Sequence, residues 1–338
     1  MTAVTRPPIE LDECVAGVLA GDRTQLARAI TLVESTRADH AELAQDLLAR
    51  LLPHTGGSQR IGMTGVPGAG KSTLIDKLGT HLTSSGHKVA VLAVDPSSTR
   101  RGGSILGDKT RMHTLAADPD AFIRPSPSSG SLGGVTRSTR EALLIVEAAG
   151  FDVVIVETVG VGQSESAVAS MVDCFVMLMV PGTGDALQGI KRGVLELAEI
   201  IMVNKADGDR AVEAGNVARE LADALHMFGA ASPTWEPPVL TCSALDGTGI
   251  ERLWDEVVRH RQVLTASGEF TEKRDRQMTE WMWAMVEQRL LARLRDNPGV
   301  QALAPTIEAR LRQRTMTPAQ GASRILEELN RAASEDAG

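Results

Sequence analysis

The sequence predicts an α/β protein built on a doubly wound, mostly parallel sheet, with a helical leader before it and a helical arm after it. Three observations predict this. Short apolar runs alternate with helical stretches between residues 56 and 262. Several runs are apolar throughout, as strands covered on both faces must be. A glycine-rich turn joins the first run to the first helix of the series, the arrangement of a βα unit.

The strand candidates are residues 60–64, 89–94, 153–156, 174–180, 200–203 and 239–242, several of them bounded by Gly, Pro or Asp. Helical spacing over 72–84 and 136–149 separates them, and such crossovers bring successive strands in parallel. Ahead of the series, residues from about 9 to 52 read as helical. Leu26, Ile30 and Val33 share a face, Ala44, Leu47, Leu48 and Leu51 repeat the pattern, and Pro53 with Gly56-Gly57 closes the leader. After about residue 262 strands cease. Residues 277–295 form the next helix, with Met278, Trp281, Met282 and Met285 at helical spacing, and Asn297-Pro298-Gly299 ends it. A last helix is expected from 318 to about 332, and 334–338 as a frayed tail. The expected organisation is a leader over 1–55, a sheet domain over 56–262 and an arm over 263–338.

At 338 residues the chain holds about two domains or one enlarged domain, enough to bury a core without staples or metals. The excess of 43 acidic over 35 basic residues argues against a nucleic-acid binder, which needs a basic field. An aromatic content of 3% with no Tyr leaves little for a base-stacking platform. Cys14, Cys174 and Cys242 are sparse and form no CxxC pair, so they read as reduced thiols. The first residues lack the apolar core of a signal peptide. The most apolar run, 171–180, contains Asp173 and is too short to span a bilayer. A cytoplasmic protein without membrane contact is expected.

The sharpest motif is Gly65-Val66-Pro67-Gly68-Ala69-Gly70-Lys71-Ser72, after a strand candidate and before a helix. This is the phosphate-binding loop of P-loop NTPases. Its glycines let consecutive N–H groups converge on phosphate oxygens, and the helix N-terminus favours the anion. Lys71 is expected on the β- and γ-phosphates, the Ser72 hydroxyl on Mg²⁺, and Thr73 beside them in the nucleotide site.

Asn204-Lys205-Ala206-Asp207 follows the 200–203 run. A carboxylate there accepts two N–H bonds from guanine, at N1 and the exocyclic amine, whereas adenine offers no such pair. Asn204 is expected to hold the base edge and its loop, and the Lys205 stem to cover a ring face. Ser243-Ala244-Leu245 fits the loop backing the base, with the Ala244 N–H facing O6. These features favour GTP over ATP. Glu157 ends the 153–156 run, where an acid holds Mg²⁺ directly or through water, and the Gly160 N–H can face the γ-phosphate. Asp95 ends the 89–94 run and points at the same phosphates. Asp108 lies in a Gly- and Arg-rich stretch that could close and bring it to the attacking water. The expected catalytic set is Lys71, Asp108 and Glu157; the expected Mg²⁺ set is Ser72, Asp95 and Glu157. No His stands near another His or Cys at metal-ligand spacing. All four Trp (235, 254, 281 and 283) fall in the last third, two of them on the arm, where a subunit interface is plausible.

With these motifs in place the sequence resembles the methylmalonyl-CoA mutase-associated GTPases. They are a branch of the metallochaperone-type G proteins once described as arginine/lysine/ornithine transport kinases. The resemblance also rests on Gly21-Asp22-Arg23, Val94-Asp95-Pro96-Ser97-Ser98, Gly107-Asp108-Lys109-Thr110-Arg111-Met112 and Arg124-Pro125-Ser126-Pro127. It extends through Glu157-Thr158-Val159-Gly160-Val161-Gly162-Gln163-Ser164-Glu165 and Pro181-Gly182-Thr183-Gly184-Asp185 with Gln188-Gly189-Ile190-Lys191. It implies a GTPase that binds an adenosylcobalamin-dependent mutase, gates cofactor loading and protects the mutase from inactivation. The cobalamin would belong to that client, and the arm would form a homodimer. Two rival readings are a P-loop kinase linked to basic amino-acid transport, and a dimeric adaptor that GTP merely stabilises.

Overall fold

The computed structural model describes residues 9–94, 112–125, 132–158, 164–182, 192–228 and 232–335. The strands β1 (Gln59–Gly65), β2 (Val89–Val94), β3 (Ala121–Arg124), β4 (Val153–Thr158), β5 (Cys174–Met179), β6 (Ile200–Val203) and β7 (Val239–Thr241) form one sheet. Their order is β3-β2-β4-β1-β5-β6-β7, and every pairing is parallel. The chain therefore winds both ways from the centre, and the carboxyl ends of all strands share one edge, where such sheets bind ligands.

Both faces are buried because side chains alternate along each strand. Val176 and Leu178 of β5 join Ile61 and Met63 of β1 against Leu74, Ile75 and Leu78 of the helix that follows the phosphate loop. Met177 and Met179 point the other way, toward Ala214, Ala218 and Leu221. Each large side chain buried this way contributes about 1.5–3 kcal/mol, so the continuous apolar runs seen in the sequence are what a doubly covered sheet needs.

The expected leader is three helices, α1 (Leu11–Leu19), α2 (Arg23–Val33) and α3 (Ala38–Leu51). Gly21, at φ +74°, ends the first, and the Asp22 carboxylate caps the second by accepting from the N–H groups of Thr24 and Gln25 at 2.8 Å. The leader covers the exposed edge of β3. Arg23 donates to the carbonyls of Pro119 and Ala121, and Arg124 pairs with Glu34, which blunts an edge otherwise open to pairing.

The chain divides into two compact units, Met1–Arg274 and Asp275–Gly338, the division falling inside the helix Glu269–Asp296. Within the second unit, Asn297-Pro298 ends one helix and also begins the next, Pro298–Arg312. Asn297 accepts from the Val300 N–H at 3.0 Å, and Pro298 occupies a first-turn position where no N–H is needed. The last helix, Pro318–Glu335, packs on it around Ile307 and Met316. The helix Glu269–Asp296 exposes Met278, Met282, Trp283, Leu290 and Leu291.

Charge gathers at the amino ends of the strands. Glu147 accepts two bonds from Arg60 at 2.8 Å, one from the Gly56 N–H at 2.9 Å, and one from the Ser58 hydroxyl. Burial pushes its carboxyl up, but the Arg60 guanidinium, Ser58 and Gly56 outweigh that and hold it below its ordinary value of 4.5. A depressed folded value means the pair stabilises the protein above pH 4.5 and loses that contribution as pH falls further. Glu147→Gln is expected to cost about 3–5 kcal/mol at neutral pH, since it strips a buried guanidinium of its partner. It should also flatten the acid-side fall of stability. Urea unfolding followed by circular dichroism at pH 7 and below 4.5 checks both.

Candidate nucleotide-binding site

The phosphate loop leaves β1 at Gly65, and the helix Lys71–Ser84 begins at its far end. Glycine is required twice by contact. A Cβ on Gly65 would lie 2.5 Å from the Leu178 carbonyl oxygen, and one on Gly70, at φ +94°, would lie 2.5 Å from Asn204 Nδ2. Lys71 is buried, and its Nζ donates to the carbonyls of Gly65 at 2.8 Å and Val66 at 3.3 Å. The ammonium is thus folded across its own loop. Ser72 donates to Glu157 Oε1 at 3.0 Å. Glu157 reaches that position because β4 sets it in register with Met63 of β1 on one side and Ala93 of β2 on the other.

The base-side residues meet around Asn204, which is 2% exposed at the end of β6. Its Nδ2 donates to the Ala69 carbonyl at 2.7 Å, and its Oδ1 accepts from the Ala244 N–H at 2.9 Å. Ser243 donates to Asp207 Oδ1 at 3.2 Å, aiming that carboxylate beside the loop. Lys205 sits at φ +63°, strain that a non-glycine residue adopts where the surroundings enforce it. Leu245 is 74% exposed beyond Ala244, open to contact with a planar ring, and Thr73 is exposed on the first turn after Ser72. The structure therefore brings Gly65–Ser72 and Glu157 together, and joins them through Asn204 to Asp207 and Ser243–Ala244. Asp95, Asp108, Gly160 and Gln163, and the loop 183–191, lie outside the described residues.

Two features escaped the sequence. Thr158 donates to Thr64 at 2.8 Å beneath the phosphate loop, both side chains buried. Cys242 places its Sγ 3.5 Å from Asn204 Oδ1, and burial, with a smaller effect from Asp246, pushes its thiol up to about 12. The residues next to them in the chain carry no sign of such cross-chain bonds.

At the opposite edge of the sheet the Cys174, Glu199 and His260 ligand atoms lie within 4.8 Å of one another. The Lys273 ammonium already donates to Glu199 Oε1 at 2.7 Å and the Phe175 N–H to Oε2 at 2.8 Å. The cluster holds its own cation and anchors the start of the helix Glu269–Asp296.

A family model described as methylmalonyl Co-A mutase-associated GTPase MeaB matches residues 26–299. The chain belongs to the MeaB family. It is a GTPase. A probable GTPase of Mycobacterium tuberculosis is 57% identical, over 98% of both chains. The mitochondrial methylmalonic aciduria type A homolog of Mus musculus is 44% identical over 94% of this chain and 79% of its own. Among solved structures, one described as a LAO/AO transport system kinase superposes with a TM-score of 0.77 at 38% identity, covering 96% of this chain and 100% of that one. Among the described residues no helix is long and apolar enough to cross a membrane.

Since Gly70 touches Asn204, Gly70→Ala should damage both halves of the site at once. Its left-handed backbone adds strain of about 1–3 kcal/mol. Guanine-nucleotide affinity, read with a fluorescent GDP, is expected to fall at least about tenfold while the circular dichroism spectrum of the fold persists.

Proposed function

We propose that this GTPase is a chaperone for an adenosylcobalamin-dependent acyl-CoA mutase, most specifically methylmalonyl-CoA mutase, whose cofactor loading it gates and which it protects from inactivation. The observation that carries the reading is the family match over residues 26–299, whose description names mutase association. The mouse relative's name points to the same metabolism. The cobalamin belongs to the client, and the chaperone acts in the cytoplasm as a homodimer, without nucleic acid or membrane as partner.

The phosphates of GTP lie on the backbone N–H groups of the 65–72 loop at the helix N-terminus. Lys71 exchanges the Gly65 and Val66 carbonyls for β- and γ-phosphate oxygens, which bind an ammonium more strongly. Asp207 takes the guanine N1 and amine protons, Asn204 holds the base edge, the Lys205 stem covers a ring face, and the Ala244 N–H faces O6. The Ser72 hydroxyl and Glu157 carboxylate, 3.0 Å apart, are hard oxygen donors that fit Mg²⁺; with Asp95 they would hold it. When bound, that ion neutralises charge on the phosphate oxygens. Asp108 orients the attacking water, and Gly160 donates to the γ-phosphate. Intrinsic turnover is slow, and client binding supplies the positioning that the site lacks alone.

Adding the apo-mutase to the full-length GTPase should therefore raise GTP turnover by at least about tenfold or change nucleotide affinity, an effect that reaches several orders of magnitude where partners complete a GTPase site. Identical turnover and affinity with and without mutase reject the coupling. The solved relative is named a kinase instead; that reading requires label from γ-phosphate to appear on an acceptor, whereas hydrolysis releases all of it as inorganic phosphate.

The arm supplies the dimer contact. Trp283 is 58% exposed on the same helix as exposed Met282 and Leu290, and an apolar patch of this kind is usually an interface. Trp283→Glu should convert the dimer to monomer at micromolar concentration in analytical ultracentrifugation, with far-ultraviolet circular dichroism unchanged.

A further inference from the structure

Asn204 ties the base loop to the phosphate loop, so whatever orients its amide controls both. The Nδ2 donates to the Ala69 carbonyl at 2.7 Å, while the Ala244 N–H, at 2.9 Å, and the Cys242 Sγ, at 3.5 Å, face Oδ1. Reversing the amide would set carbonyl against carbonyl and N–H against N–H, so one orientation is enforced. In the guanine reading given above, on which this inference rests, the Ala244 N–H faces the base O6. That N–H is already committed to Asn204. One N–H does not serve two acceptors at full strength, and the acceptor it leaves is buried.

We propose that Cys242 is a positioning residue for guanine binding: its S–H holds Asn204 Oδ1 when the Ala244 N–H turns to the base, so the amide keeps its bond to the phosphate loop in the loaded state. The thiol is well placed to do so. Its backbone is pinned on both sides, the N–H donating to the Val203 carbonyl at 2.9 Å and the carbonyl accepting from the Ala206 N–H at 3.0 Å. The residue is 1% exposed, so water does not compete for either partner. The raised thiol value keeps the proton on sulfur at neutral pH, making the group a donor rather than an anion repelled by Oδ1. A thiol is a weak donor, sufficient to satisfy a buried oxygen without locking the amide when the base leaves.

The test compares full-length wild type, Cys242→Val and Cys242→Ser with two ribose-labelled probes, GDP and 2-aminopurine riboside diphosphate. The second probe keeps the exocyclic amine but lacks O6 and the N1 proton, so each variant is compared with wild type on the same probe. Valine is one carbon larger than the thiol and cannot donate, so GDP affinity should fall about tenfold, the cost of one buried acceptor left unsatisfied, and the second probe reads any loss that the added methyl causes by itself. Serine should restore it to within about twofold, because a hydroxyl donates in the same direction. With the 2-aminopurine probe the Ala244 N–H has no reason to leave Asn204, and valine should cost less than about twofold. Equal losses on both probes would mean general damage to the site and overturn the proposal. So would a valine variant that binds GDP like wild type, or a serine variant as weak as valine. Wild type that binds both probes equally would reject the guanine contacts themselves, and the proposal with them.

Discussion

One buried amide holds the two halves of the nucleotide site in fixed relation. Asn204 donates to the phosphate loop at Ala69 and accepts from the base loop at Ala244, spanning segments far apart in sequence. Such a bond is worth little net when it replaces water, about 1 kcal/mol, but breaking it leaves buried groups unsatisfied at about 1–3 kcal/mol each. Geometry follows from that asymmetry. Gly70 must lack a side chain because the amide fills the space a Cβ would take, and the loop between β6 and the next helix must carry Asn rather than a longer or ionised residue.

The sheet makes that accuracy possible. Strands β2, β5 and β6 are apolar through their length, and parallel pairing brings the carboxyl ends of all seven strands to one edge. The opposite edge is closed by charge: Arg60 with Glu147, Arg274 with Asp173, and Lys273 with Glu199. Buried pairs of this kind add little over a well-packed apolar alternative, yet are costly to break. Their effect here is positional. Asp173 also accepts from the Arg60 N–H at 2.8 Å, so the feet of β1 and β5 and the first turns of the helix Glu269–Asp296 share one carboxylate.

Much of this was readable in the sequence because it rests on local pattern. Strands β2 and β6 match their apolar runs residue for residue, since a strand covered on both faces leaves no polar interruption. The phosphate loop was readable for a related reason: its glycines and lysine are dictated by backbone geometry and ligand charge. What escaped is what depends on partners remote in sequence. Strand β3 is only Ala121–Arg124, too short for a periodic signal and held in place by the leader through Arg23 and Arg124. The helix Pro298–Arg312 escaped because Asn297-Pro298 serves as a stop for one helix and a start for the next. In the site, Cys242 gives no sign in sequence of the Asn204 carbonyl it faces.

The net charge of -8 poses an electrostatic question for a protein that receives a nucleotide carrying several negative charges. Part of the answer is that the acids gathered at the amino edge of the sheet are already matched. Glu147, Asp173 and Glu199 each face a Lys or Arg within 2.8 Å, so they project little field toward the carboxyl edge. Exposed acids are screened within about 10 Å at ordinary salt. At the other edge, Lys71 donates to the carbonyls of Gly65 and Val66. A carbonyl is a weaker partner for an ammonium than a phosphate oxygen, so exchanging one for the other favours binding. In the proposed GTP complex, that exchange lets an acidic chain hold the nucleotide.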